Sequence, residues 1–165
     1  MAASSSTTEG FSLSSFWAAV RGHPIRTFLI CLIAATFSTM DQALFSYAVP
    51  GITEEFGVGL DRIGVMLSLS FLVASFAVVI TGVLTDFIGR QRMFIIMMVL
   101  SAFFVGCHAL AGTIQMLTLF RVLGFAFAAG LFPIMATIIV EVAPARYRGM
   151  MSAWLQMSYP IGFSI

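Results

Sequence analysis

Long apolar runs dominate this sequence and constrain it more than any other feature. They fall at about 27–49, 65–85, 93–112 and 116–140, and a fifth, 150–165, starts near Met150. A hydrocarbon core about 30 Å thick is crossed by about 20 apolar residues in a helix. The runs therefore predict an all-α membrane protein with four complete transmembrane helices and the start of a fifth. The segments between them, Pro50 to Gly64, Asp86 to Arg92, Gly112 to Gln115 and Glu141 to Gly149, collect the charges, glycines and prolines and are expected to be loops.

Composition agrees with a lipid solvent. Apolar residues make up 60% of the 165 positions and charged residues 9%, where a soluble domain carries about 25% charged. All eight basic residues are arginine, and they form no tract that could neutralise a row of phosphates, which argues against nucleic acid as a partner. Cys31 and Cys107 lie inside apolar runs and are expected to pack as small apolar side chains. Two histidines and two cysteines so scattered build neither a metal cluster nor a Ser/His/Asp set, and no Walker-type glycine loop is present. No cofactor and no enzymatic centre are expected.

Residues 1–26 read as a cytoplasmic tail. Its first ten residues are expected to be disordered, and Phe11, Leu13, Phe16, Trp17 and Val20 could form a short interfacial helix with Trp17 at headgroup level. No basic segment runs directly into a short apolar one near the start, so the first span is expected to remain in the mature protein. Residues 27–165 form the expected transmembrane bundle. With the N-terminus inside, the inner segments hold Arg21, Arg26, Arg90, Arg92, Arg146 and Arg148, and the outer segments hold Arg62 alone. That asymmetry predicts a cytoplasmic N-terminus, because arginine is retained on the cytoplasmic side. Small residues at Ser70, Ala74 and Ala77, and at Gly124, Ala128 and Ala129, provide spacing for close helix packing.

Asp41 and Arg121 are ionisable residues well inside spans, where each costs about 2.5–3.5 kcal/mol on insertion scales. Counted from Val49, Asp41 lies about 12 Å deep, and Arg121 lies about 7 Å into its span. At those depths the guanidinium reaches the carboxylate if the first and fourth helices are neighbours. One reading is an ion pair that only pins two helices. The favoured one has Asp41 binding a proton or an ionic substrate and Arg121 attracting an anion or tuning the proton affinity of Asp41. Ser38, Gln42 and Ser46 recur every four residues beside Asp41 and would form a polar stripe on a wet cavity. His108 could relay protons, but a neutral imidazole bonded to a neighbouring helix is the reading preferred for it.

The loop after the second run reads Gly82-Val-Leu-Thr-Asp86-Phe-Ile-Gly89-Arg90-Gln-Arg92. It resembles the signature G-x-x-x-D-(R/K)-x-G-(R/K)-(R/K) of the major facilitator superfamily, in the same inter-helix position. Gly82, Asp86, Gly89 and Arg90 match, Arg92 continues the basic end, and Phe87 and Gln91 replace two cations. Arg121, Gly124 and Gly130, followed by Glu141, Pro144, Arg148 and Gly149, resemble the family's fourth-helix motif and its E-x-x-P-x-x-x-R-G ending. Asp41, Tyr47, Ala48 and Pro50 are similar to the D-x-x-x-x-x-Y-A-x-P stretch of aromatic-acid and related organic-anion/proton symporters, with Ser38 where those carry a further aspartate.

The resemblance covers nearly all of 26–165 and implies a secondary active transporter in the cell membrane. By it, a small solute, an organic anion by preference, moves by alternating access with proton coupling through Asp41, Gln42 and Arg121. The resemblance also makes Gly82, Asp86, Gly89, Arg90, Arg92, Glu141, Arg146 and Arg148 a cytoplasmic latch that opens and closes as two bundles rock, the alternative being a static salt-bridge network. The partners implied are the lipid bilayer, the solute and protons. The pathway of such a fold lies between two six-helix halves, so the chain alone is expected to insert without transporting, and to need a C-terminal half or a complementing chain. A non-transporting subunit that retains the fold is the alternative function, and a membrane-embedded enzyme the third.

Overall fold

A computed structural model describes residues 22–164, apart from the side chain of His23. The proposed interfacial helix at 11–20 lies outside the described residues. Four long helices follow in order: α1 (His23–Phe56), α2 (Leu60–Ile88), α3 (Arg90–Cys107) and α4 (Ile114–Val142). Two shorter ones, α5 (Arg148–Gln156) and α6 (Ser158–Ser164), occupy the fifth run, which breaks at Met157. Each of the four long helices is long and apolar enough to cross a membrane. The expected all-α architecture is observed, and no strand occurs among the described residues.

The helices outrun the apolar segments, and the expected loops shrink accordingly. Pro50 does not end α1, which continues to Phe56 with Pro50 inside it. Proline removes one backbone donor and crowds the preceding turn, yet the Thr53 hydroxyl donates to the Pro50 carbonyl at 2.7 Å and supports the next turn. Glu54 and Glu55 ride on those last turns instead of lying in a loop. The helix stops at Gly57, whose φ of 59° gives the left-handed cap that glycine adopts without strain. At 34 residues, α1 is about 51 Å long and must project beyond the hydrocarbon. The Asp86–Arg92 segment is likewise almost all helical: Gly89 alone, at φ 91°, separates α2 from α3. Thr113 caps α4 by accepting the Met116 amide at 3.3 Å.

Close packing centres on α4, which contacts α1, α2, α3 and α5. Against α2 it presents Gly130, where a Cβ would stand 2.8 Å from the Thr81 hydroxyl. Against α3 it presents Gly124, whose added Cβ would meet Phe104 at 3.4 Å, and Ser101 donates to the Gly124 carbonyl at 3.4 Å. Small residues thus let backbones approach on two sides of one helix. Ala77 and Ala129 are only half-buried. The main core fills the end of the bundle that holds Phe28, Cys31, Met93, Met97, Met135 and Met151. A smaller cluster, Phe45, Ile63 and Met66, sits toward the other end. α1 is tied to α6 by Thr39, whose hydroxyl donates to the Ser158 carbonyl at 3.2 Å, with Gly162 seated on the same turn.

Candidate functional site

Asp41 stands roughly four turns before the end of α1, about 22 Å by helix rise rather than the 12 Å counted from Val49. Arg121 is about 10 Å into α4. The two still meet. Arg121 Nη1 donates to Asp41 Oδ2 at 2.9 Å, with the arginine side chain 4% exposed and the aspartate 24%. A charge-assisted bond in such surroundings is stronger than its aqueous counterpart. The guanidinium also lies over the Phe45 ring at 4.0 Å and near the Phe125 ring at 5.7 Å. Arg121 Nε is buried with no hydrogen-bond partner among the described residues.

The two charges open on different spaces. A groove of about 420 Å³ is lined by Asp41, Phe45, Glu55, His108 and Leu117. A second pocket, of about 210 Å³, is lined by Gln42, Phe45, Ser46, Ser70, Arg121 and Phe125 among others. Phe45 borders both, so its ring is the partition. The expected polar stripe divides accordingly: Gln42 and Ser46 face the second pocket, whereas the Ser38 hydroxyl is buried without a partner among the described residues. The Phe45 partition carried no sequence signal, since one aromatic residue in an apolar run is indistinguishable from core.

At the opposite end, Arg90 forms an ion pair with Glu141, joining the start of α3 to the end of α4. No ion pair joins Asp86 to another described residue. Asp86 is exposed and shares a small cavity with Gly82, Arg90 and Thr137. Gly89 supplies the bend that sets Arg90 on a new helix, its amide donating to the Thr85 carbonyl at 3.0 Å. Arg92 is exposed in the first turn of α3. Arg148 Nε donates to the Ala143 carbonyl at 3.3 Å, and Arg146 lies beside the Tyr147 ring at 5.9 Å. Among the eight residues implied by the signature loop and the fourth-helix ending, Arg90 and Glu141 pair across helices, and the carbonyl bond of Arg148 is local to its own connection.

A model of the Major Facilitator Superfamily matches residues 31–165. The chain belongs to that superfamily, whose members are multi-pass membrane transporters rather than enzymes. Its relatives include a probable 4-methylmuconolactone transporter of Cupriavidus pinatubonensis, 25% identical over 85% of this chain and 33% of the relative. The 4-hydroxybenzoate transporter PcaK of Acinetobacter baylyi is 22% identical over 83% of this chain and 30% of its own length. The multidrug export protein EmrB of Haemophilus influenzae is 27% identical over 84% and 28% respectively. The chain thus spans about a third of the length of these relatives. No solved structure matches it.

Proposed function

We propose that the chain belongs to a secondary transporter that moves an organic anion together with protons by alternating access. The observation that carries the reading is one buried ion pair whose carboxylate lines one cavity and whose guanidinium lines another. A proton arriving at Asp41 neutralises the partner of Arg121 and frees a positive charge toward the second pocket. At an effective dielectric near 20, a unit charge pair about 4 Å apart interacts by about 4 kcal/mol. Protonation at Asp41 therefore strengthens anion binding at Arg121, and by linkage the anion strengthens proton binding. Positive coupling of that sign is what symport requires.

The second pocket suits an aromatic carboxylate. Phe71 and Phe125 meet edge to face at 5.0 Å and offer ring contacts, Arg121 offers a fork for the carboxylate, and Gln42, Ser46 and Ser70 line the same space. One relative is named for 4-hydroxybenzoate, an aromatic carboxylate, which supports the same choice. The N-terminus is cytoplasmic in this reading, so the Arg90–Glu141 pair lies at the inner face and the groove beside Asp41 opens outward. Breaking and remaking that inner pair biases the two access states. The test is counterflow by the full-length gene product in proteoliposomes, against aromatic and aliphatic carboxylates, sugars and cationic drugs. Counterflow is expected with aromatic carboxylates, and counterflow confined to sugars or cationic drugs would overturn the substrate class.

A further inference from the structure

The groove beside Asp41 carries more than the coupling carboxylate. Its α1 wall runs along one helix face from Asp41 through Phe45, Ala48 and Ile52 to Glu55, a climb of about 21 Å. The facing wall comes from the end of α3 and the connection into α4, and includes His108. Among the residues lining the groove, Asp41, Glu55 and His108 are the groups that titrate. Arg121 faces them from α4 as the fixed cation. Glu55 is exposed at the mouth, Asp41 is half-buried at the far end, and the His108 ring packs 6.3 Å from Phe45 between them.

A hydrogen bond with the backbone of Phe120 ties the His108 ring to α4, while the residue also lines the groove and its Nε2 is buried with no hydrogen-bond partner among the described residues. The groove, at about 420 Å³, has room for a chain of waters.

We infer that Glu55 and His108 line a water-filled proton route between the outer surface and Asp41, with the His108 imidazole as its relay. The inference rests on the proposed protonation of Asp41. Glu55 gathers protons at the mouth as an exposed carboxylate. A neutral His108 accepts one proton on a ring nitrogen and, as imidazolium, releases one to the water beyond. That water delivers it to a carboxylate oxygen of Asp41, which becomes a neutral carboxyl and lets go of Arg121. The imidazole returns to its neutral form, so each cycle moves one proton and consumes nothing.

The route can be timed without knowing the transported solute. The full-length gene product is placed in proteoliposomes, the outer pH is dropped, and the carboxyl band of Asp41 is followed by time-resolved infrared spectroscopy. Loss of the band in Asp41→Asn identifies it. His108→Gln is expected to reach the same final amplitude on the order of tenfold more slowly or worse, and Glu55→Gln to show a smaller delay. In His108→Ala, imidazole in the outer buffer is expected to restore the rate, which a purely structural role for His108 would not allow. An unchanged rate in His108→Gln, or a slowing that imidazole leaves untouched, overturns the route while leaving Asp41 in place. Absence of any Asp41 band in the unmodified protein overturns the proposed coupling itself, and the route with it.

Discussion

Removing the charge at position 41 would leave a guanidinium that is 4% exposed without its counter-ion. Breaking one side of a buried pair costs about 3 kcal/mol at the low end of the usual range, the relevant end here because Asp41 keeps some contact with solvent. Asp41→Asn and Arg121→Gln are each expected to lower thermal stability by that order. The double variant should lose clearly less than the sum, as groups in direct contact do. Melting curves of the purified variants check this, and strictly additive losses would mean the pair is not formed. The Arg90–Glu141 pair is more open, at 39% and 47% exposed, so its coupling is expected to be only about 0.2–1 kcal/mol. A double-mutant cycle of transport rates for Arg90→Ala and Glu141→Gln should nonetheless be sub-additive, and additive losses would reduce the pair to a static surface contact. The approach of Asp41 to Arg121 was legible in the sequence because charges in a span must find partners. The resemblance named Glu141 as the partner of the signature-loop arginines; that it takes Arg90 rather than Arg92 was not legible, since loop charges carry no register until the helix ends are fixed.

Between elements, the α2–α4 crossing depends on the absence of a side chain at Gly130. A methyl group there would stand 2.8 Å from Thr81 Oγ1 and 3.2 Å from its Cγ2, and overpacking of this kind costs about 1–3 kcal/mol. Gly130→Ala should therefore lower the melting temperature, and adding Thr81→Ala should recover most of the loss. Failure of the second substitution to help would show that the strain lies elsewhere. The long helices were legible as apolar runs, but their ends were not. Pro50, Glu54 and Glu55 read as a loop because proline and charge usually mark one; a helix that leaves the hydrocarbon can carry both. The fifth run read as one helix, and its break at Met157 falls in a stretch where an apolar run and an interrupted helix look alike. Thr39, Ser158 and Gly162, which join α1 to α6, gave no periodic signal, because each is a single small residue whose partner is far away in sequence.

For the molecule as a whole, orientation and coupling remain the claims with most at stake. Ala145 is exposed in the connection between α4 and α5, and Val58 lies in the short turn between α1 and α2. A cysteine at Ala145 is expected to label from the cytoplasmic side and one at Val58 from outside, in intact cells with an impermeant thiol reagent. Labelling of both from one face would overturn the proposed topology. The family was legible from the signature loop and the fourth-helix motif. The division of the site between two cavities was not, because it depends on where one phenylalanine ring lies between them. The most direct measurement is accumulation of radiolabelled aromatic carboxylate driven by an imposed pH gradient, in proteoliposomes of the full-length gene product with and without Asp41→Asn. Asparagine keeps the size and polarity of the side chain but cannot exchange a proton. The account predicts that the variant loses gradient-driven accumulation while retaining counterflow, and full accumulation by the variant would contradict it.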